Sequence, residues 1–273
     1  MISKRERRGP AKAVRREIRL RLKSAARLLK GAGPLAARVH SARRQMKKAR
    51  SWLRLLSEST PNKRRRALDA LCRDAGLALA PARDSAAMER AWKSLKLRQP
   101  GAARLRARRE DAERAIRSGE ALDRSLRALR RARKAADELT LSGRGRKGVR
   151  RGLKRSRARL DEAFRAAERE RTDEAFHDWR KRAKDLRYQL ELLARPKTAS
   201  AGRLAEGLKR LTDLLGEDHD LAVLGAHVAA APDEFGGDAG AAAAADAVAR
   251  RRDVLRRTAL TLPVGIAIPR KGD

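Results

Sequence analysis

The sequence has little of what would place it in several common protein classes. It contains one cysteine, Cys72, and therefore no internal disulfide and no metal site built on cysteines. Aromatic residues make up 3% of the chain, and the runs of Val, Ile and Thr typical of β-strands are nearly absent. No apolar run approaches the ~20 residues of a membrane span, and the N-terminus lacks the apolar core of a secretory signal. We therefore expect a soluble cytoplasmic protein.

The abundant residues are Ala, Leu, Arg and Glu, which favour long helices and predict an all-α fold. Hydrophobic residues make up 41% of the 273 residues, which is enough for a sizeable core. The net charge is +36, and self-repulsion on this scale opposes compaction unless a polyanion is bound. The candidate partners are DNA, RNA, an anionic membrane and inorganic polyphosphate, and composition does not choose among them.

Two stretches of the chain, 39–56 and 176–193, carry the same pattern of apolar and basic residues. In each, apolar residues alternate at spacings of three and four, which predicts a helix that buries one face, with Trp179 in the core. Each basic residue of the pattern His-x-x-Arg-x-x-x-Lys-x-x-Arg comes one position after an apolar residue of this face. The basic residues therefore form a row that flanks the buried face. Because the pattern recurs at a constant offset, we interpret it as an internal repeat. The residues predicted to bind an anion are His40, Arg43, Lys47, Arg50, His177, Arg180, Lys184 and Arg187.

Glycine, proline and helix-capping residues divide the rest of the chain into further predicted helices. We expect Thr172 to cap the second motif helix, Gly216 to end the next helix, and the segment 217–220 to open another. The segment 236–240 is expected to be a loop, and the Gly-rich segment 142–145 is the clearest linker. The predicted organisation is a basic lead-in (1–10), a helical domain (11–260) with repeats at about 11–140 and 146–260, and a tail (261–273).

These motifs resemble those of one protein family. The stretches HSARRQMKKAR (40–50) and HDWRKRAKDLRY (177–188) resemble the two motif helices of the CHAD family, the conserved histidine α-helical domain. LALAPARDSAAM (77–88) and LTDLLGEDHDLAVL (211–224) are similar to the segments that follow those helices in the family. The resemblance implies two helical bundles of the four-helix type, related by a pseudo-two-fold axis, with a basic cavity between them. It also implies inorganic polyphosphate as the ligand and an association with polyphosphate granules.

Polyphosphate is a flexible chain of charges with no base edges to read, so binding it requires many cations in a row. Arg can grip phosphate oxygens with two donors, and Lys acts as a mobile point charge. The two motif histidines would add charge as pH falls if a phosphate lay beside them. Asp84 and Asp220 would repel an anion, so we expect them to cap helices or pair with a motif cation. The basic surface could extend onto the preceding helices through Arg16, Arg19, Arg151 and Lys154.

Other function classes are less well supported by the sequence. We expect no enzyme and no cofactor, because there is no phosphate-binding loop, no pair of carboxylates on a shared face and no nucleophile beside a base. We expect no metal site, because adjacent residues such as His177 and Asp178 diverge on a helix and rarely chelate one ion. The alternative is a nonspecific nucleic-acid-binding helical protein of the nucleoid type. The few aromatic residues argue against stacking on single strands, although weak, salt-sensitive nucleic-acid binding is expected.

Overall fold

The computed structural model describes residues 9–97, 101–141, 145–193 and 199–262. Within these residues the chain forms α-helices and one short 3₁₀ helix, Pro232–Phe235, and no β-strand, so the all-α prediction is confirmed. The predicted tail beyond residue 262, the first eight residues and linker residues 142–144 lie outside the described residues. The helices are α1 (Pro10–Lys30), α2 (Leu35–Leu55), α3 (Asn62–Leu77), α4 (Ala80–Leu95), α5 (Gly101–Ser118), α6 (Ala121–Asp137), α7 (Gly145–Glu170), α8 (Asp173–Leu193), α9 (Ala199–Ala230) and α10 (Gly237–Thr261).

Local sequence explains where several helices begin. Pro10 is the first residue of α1, a position at which the missing backbone N–H of proline costs no hydrogen bond. The side-chain oxygen of Thr172 accepts a hydrogen bond of 3.2 Å from the backbone N–H of Ala175, which confirms the predicted cap of α8. Asp173 and Glu174 add negative charge to the first turn of the same helix.

Two predicted helix boundaries were wrong. Gly216 does not end a helix, because α9 runs without a break from Ala199 to Ala230. A glycine inside a helix costs only about 1 kcal/mol relative to alanine. The burial of leucines on both sides of Gly216, such as Leu215 and Leu221, offsets that cost. The segment 236–240 is also not a loop, because α10 begins at Gly237 directly after a residue with a left-handed φ of 96°.

The helices pack into three hydrophobic clusters. The first joins α1, α2, α3 and α6. The second joins α4 and α5 to the C-terminal half of α9, the 3₁₀ helix and α10. The third joins α7, α8 and the middle of α9, with Trp179 buried as predicted. Helices α4 and α5 precede the linker yet share a core with helices that follow it, and the division into two sequence repeats stays a prediction.

The two motif helices, α2 and α8, cross near their C-terminal ends. Ser51 Oγ donates a hydrogen bond of 2.7 Å to the carbonyl of Asp185, and Trp52 Nε1 donates one of 2.7 Å to the carbonyl of Tyr188. Gln189 Nε2 donates in return to the carbonyl of Ser51 at 3.0 Å. This crossing holds the basic rows of both helices next to each other, which positions the site described below.

No helix in the described part of the chain combines the length and the apolar character needed to cross a bilayer.

Candidate anion-binding cleft

A cleft of about 450 Å³ lies between α2, α4, α8 and α9, and we call it the central cleft. Eight Lys and Arg side chains line it against three carboxylates, so its lining carries an excess of positive charge. The basic residues are His40, Arg43, Arg44 and Lys47 from α2, Arg83 and Arg90 from α4, and Arg180, Lys184 and Arg187 from α8. The α9 wall contributes Thr212, Asp213, Gly216, Glu217 and Asp220.

The crossing of α2 and α8 brings together six of the eight predicted motif residues. Spacings of three and four residues keep each basic row on one helix face, and both faces open into the same cleft. The six residues are His40, Arg43, Lys47, Arg180, Lys184 and Arg187.

The other two predicted motif residues do not line the central cleft. Arg50 turns to α3, where its Nε and Nη2 donate hydrogen bonds of 2.9 and 3.0 Å to the two carboxylate oxygens of Asp69. A fork-shaped pair of this kind is stronger than a single charged hydrogen bond, so it holds Arg50 away from the cleft. His177 instead packs against His219, with ring centroids 4.3 Å apart.

The predicted extension onto the preceding helices does not reach the central cleft, because α1 and α7 contribute no described residue to its lining, and a wider basic surface on these helices stays a prediction. Arg19 forms an ion pair with Asp137 of α6. Arg16, Arg151 and Lys154 are exposed on α1 and α7 without lining the cleft. The basic surface extends instead onto α4, the helix opposite the motif pair.

The basic residues of α4, Arg83 and Arg90, were not predicted as site residues. They lie two turns apart, and the small residues Ala87, Ala91 and Ser94 fill the same face. Small side chains at that spacing leave room for a ligand, so this pattern was the signal in the sequence. It could not be interpreted without knowing that α4 faces the motif helices.

Arg83 links the α4 and α9 walls. Its Nη1 donates to Asp84 at 2.9 Å and its Nη2 donates to Asp220 at 2.8 Å. Burial opposes the charge of Arg83, but Asp220 and Asp84 outweigh it and raise its pKa. Both acids lie inside helices and bind Arg83, which is not a motif cation, so the predicted caps were wrong. Their charges also act on motif cations, because Asp84 favours the charged form of Arg43 and Asp220 that of Arg180.

Several cleft cations lack a partner among the described residues. Lys47, Arg180 and Lys184 form no salt bridge there, although the side chain of Arg180 is buried with 7% exposure. The Nε atoms of Arg43, Arg180 and Arg187 are buried without a hydrogen-bond acceptor. Buried donors in folded proteins are almost always paired. The cleft therefore presents unpaired donors that the oxygen atoms of an anion can satisfy.

The pKa values of the lysines reflect this crowding of positive charge. Burial, followed by the charges of Arg180 and Lys47, lowers the pKa of Lys184 to about 6. Burial and then Arg43 lower the pKa of Lys47 to about 8. In the ligand-free protein Lys184 is therefore largely neutral at pH 7, and a bound anion would favour its charged form.

The ligand-free protein does not favour charged motif histidines, and their response to a bound phosphate stays a prediction. Burial, followed by the charge of Arg90, lowers the pKa of His40. Burial and then Lys181 lower the pKa of His177 to about 4, and His177 lies outside the cleft lining. Both rings are therefore neutral at pH 7 in the ligand-free protein. Lys47 and Lys184 are the cleft groups whose charge can change near neutral pH.

No group of three or more His, Cys, Asp or Glu side chains suited to a metal ion occurs among the described residues.

A sequence model of the CHAD domain matches residues 12–229, a range that contains every residue lining the central cleft. The chain belongs to the CHAD family. Two solved structures are similar to this CHAD protein. PptA from Streptomyces chartreusis is 16% identical with a TM-score of 0.64, and the match covers 92% of this chain and 98% of that one. The CHAD domain from the plant Ricinus communis is 20% identical with a TM-score of 0.60, covering 94% and 89%.

A search of curated proteins finds no match to this sequence. At these identities the two structural relatives support the shared fold, and CHAD domains are associated with polyphosphate binding in general. The predicted family resemblance is thus confirmed.

Proposed function

We propose that this CHAD protein binds inorganic polyphosphate in the central cleft. The observation that carries the proposal is the convergence of unpaired cations from two motif helices on one cavity, including Lys47, Arg180 and Lys184. Polyphosphate offers a row of oxygen atoms, which matches a row of donors better than it matches a shaped pocket. The buried Nε atoms of Arg43 and Arg180 supply donors that lack an acceptor in the ligand-free protein.

The lining also indicates which walls of the cleft the ligand would contact. Asp213, Glu217 and Asp220 line the α9 wall and would repel phosphate oxygens. The chain is therefore proposed to lie against α2 and α8, where Lys47, Arg180 and Lys184 form no salt bridge with a described residue. We propose a binding role without a catalytic step, and one that would place the protein at polyphosphate granules in the cell.

The small volume of the cleft disfavours duplex nucleic acid as the principal ligand. A DNA duplex, whose major groove alone is ~12 Å wide, is too thick to enter a cleft of about 450 Å³. Duplex binding would use the exposed basic faces of the outer helices and would be weak and salt-sensitive. This difference makes competition between polyanions a direct test.

The test is competition at physiological ionic strength. Labelled long-chain polyphosphate is bound to the purified protein, and duplex DNA, RNA or heparin is added at equal charge. We expect polyphosphate to hold its place against all three. If DNA competes equally per charge, the nucleic-acid alternative is correct and the proposal fails.

The same titration separates the cleft from general surface charge. The cleft variant changes Arg43, Lys47, Arg180 and Lys184 to Ala. A matched control removes the same four charges from exposed positions outside the cleft, namely Lys23, Arg127, Arg131 and Lys134. We expect the cleft variant to lose at least about tenfold in affinity, because it removes several phosphate contacts, and the control to lose much less. Equal losses would show that only net charge matters. Circular dichroism checks that both variants remain helical.

A further inference from the structure

A second basic cavity lies further along the motif helix α2, towards its C-terminus, between α2, α3 and α7. It consists of two adjoining parts of about 390 and 290 Å³, which share Arg54, Arg65 and Arg66 in their linings. We call it the lateral groove. Its other arginines include Arg73 at one end and Arg159 at the other. Only two carboxylates, those of Asp69 and Glu58, belong to its lining.

The arginines of the lateral groove are only partly neutralised. Arg50 is paired with Asp69, and Arg54 lies 3.4 Å from Asp185. Arg66 and Arg159, by contrast, are exposed and form no salt bridge with a described residue. The groove therefore keeps free positive charge, which its ligand would have to match.

Arg65 lies at the centre of this cluster. Its Nη2 donates to Asn62 at 2.7 Å, but its Nε is buried without an acceptor. Burial lowers the pKa of Arg65, and the charges of Arg66, Arg54 and Arg159 act in the same direction. Three guanidinium groups thus lie within electrostatic reach of Arg65, opposed by the single carboxylate of Asp69, and a bound anion would relieve their repulsion.

Helix α2 connects the lateral groove to the central cleft. Arg43 and Lys47 line the cleft, whereas Arg50 and Arg54 line the groove. Successive spacings of four, three and four residues keep all four side chains within about 60° on the helix surface. From Lys47 to Arg50 the helix rises only ~4.5 Å along its axis. The two sites are therefore neighbouring segments of one basic row.

We propose that the lateral groove carries the polyphosphate chain onward from the central cleft, so that long chains contact both sites and short chains contact the cleft alone. This inference rests on the proposed function. It also gives Arg50 a place beside the ligand path, although not in the cleft where the motif predicted it. The consequence is a preference for long chains that resides in the groove.

The experiment compares tripolyphosphate with long-chain polyphosphate on four proteins at one salt concentration. These are the natural protein, a groove variant, a matched surface control and a cleft variant. The groove variant carries Arg66→Ala and Arg159→Ala, and the control carries Arg127→Ala and Arg131→Ala on α6, which removes the same charge from exposed positions. The cleft variant carries Lys47→Ala and Lys184→Ala.

We expect the groove variant to lose roughly tenfold in affinity for the long chain, with a salt dependence shallower by about two released ions. Its affinity for tripolyphosphate should match that of the surface control. The inference is overturned if the groove variant binds the long chain as the control does, or if it loses the same factor for both ligands.

The cleft variant distinguishes this failure from failure of the proposed function. If the cleft variant loses tripolyphosphate binding and the groove variant is unaffected, the groove is not a binding site and the proposed binding in the cleft is supported. If the cleft variant binds both ligands as the natural protein does, the proposed binding of polyphosphate in the central cleft is wrong.

Discussion

Lys184 illustrates the chemistry of the central cleft at the scale of single residues. Its amine lies in the same cleft lining as Arg180, Lys47 and Arg187, whose positive charges act on it. It forms no salt bridge with an acidic side chain among the described residues. Burying an ammonium beside other cations disfavours its charge, which is why its pKa falls to about 6. A bound polyanion supplies the missing negative charge, so protonation and ligand binding are coupled.

The first prediction concerns proton uptake. Because Lys184, with a pKa of about 6, and Lys47, with a pKa of about 8, gain protons when phosphate approaches, binding at pH 7.5 should take up protons from the buffer. Affinity should fall as pH rises above 6. Calorimetry in two buffers with different ionisation enthalpies measures the uptake. Identical binding heats in the two buffers would contradict the predicted proton uptake. The substitution Lys184→Met should reduce the number of protons taken up.

The second prediction concerns the stability of the ligand-free protein. The pKa of Lys184 is lowered from 10.5 to about 6 on folding, so the unfolded chain binds more protons between these values. This group therefore disfavours folding, and the penalty shrinks as pH rises from about 6 towards 10.5. Lys184→Met should raise the free energy of unfolding at pH 7 by on the order of 1–3 kcal/mol. Denaturant unfolding measures it.

The control for this prediction is Lys23→Met, which changes an exposed lysine and should leave stability within about 0.5 kcal/mol. The difference in the free energy of unfolding between Lys184→Met and the natural protein should narrow towards pH 10, because Lys184 then also loses its proton in the unfolded chain. A gap that widens with pH would contradict the assigned sign. The same variant should bind polyphosphate less tightly, so at this residue stability and binding oppose each other.

At the scale of elements, the contact between α7 and the end of α2 depends on glycine. A Cβ added at Gly152 would lie 2.6 Å from the carbonyl oxygen of Leu55 and 2.9 Å from its Cα. These are backbone atoms of the last residue of α2, so they cannot move aside alone. This close approach places α7, with Arg155 and Arg159, against the lateral groove.

The third prediction tests this contact with Gly152→Ala. Alanine is favoured over glycine in a helix by about 1 kcal/mol, but the clash with the Leu55 backbone should outweigh that gain. We expect a net loss of about 1–3 kcal/mol in the free energy of unfolding. Gly145→Ala is the matched control, because no atom lies within 4 Å of its added Cβ. Equal or greater stability of Gly152→Ala would show that the helices are not in close contact.

Sequence periodicity predicted most helices but not all of their ends. The rows of α2 and α8 were identified because a buried face and a basic face recur with the period of the helix itself. The unbroken course of α9 through Gly216 was missed, because a glycine weakens a helix locally and only packing in two separate cores shows that the helix continues.

At the scale of the whole molecule, the net charge of +36 acts on every helix. Self-repulsion weakens the compact state, and both salt screening and a bound polyanion relieve it. The two differ in kind, because screening acts on all surface charges, whereas a ligand stabilises the folded state by an amount that grows with the logarithm of its concentration above Kd.

The fourth prediction follows from that difference. The melting temperature of the ligand-free protein should rise as NaCl is added from low salt, and long-chain polyphosphate should raise it further at low salt than at high salt. The variant with Arg43, Lys47, Arg180 and Lys184 changed to Ala should keep the response to NaCl and lose most of the response to polyphosphate. A variant that keeps both responses would indicate binding outside the cleft. Differential scanning fluorimetry measures both responses.

The sequence by itself determined the helices, the two apolar seams and the basic row beside each seam. These features depend on neighbours three and four residues apart, and such neighbours meet on one helix wherever that helix lies. For the same reason the row of cations alone could predict a polyanionic ligand, whereas the choice of polyphosphate was implied by the resemblance to the CHAD family.

Only the tertiary structure decided which rows meet and where each row ends. It joined α2 and α8 through Ser51 and Tyr188, added Arg83 and Arg90 from α4, and turned Arg50 away to Asp69. Contacts of this kind join residues far apart in the chain, and they are set by how complementary faces pack rather than by local spacing. Which residues line the cleft therefore depends on how the helices pack, although every one of its cations can be read from the sequence.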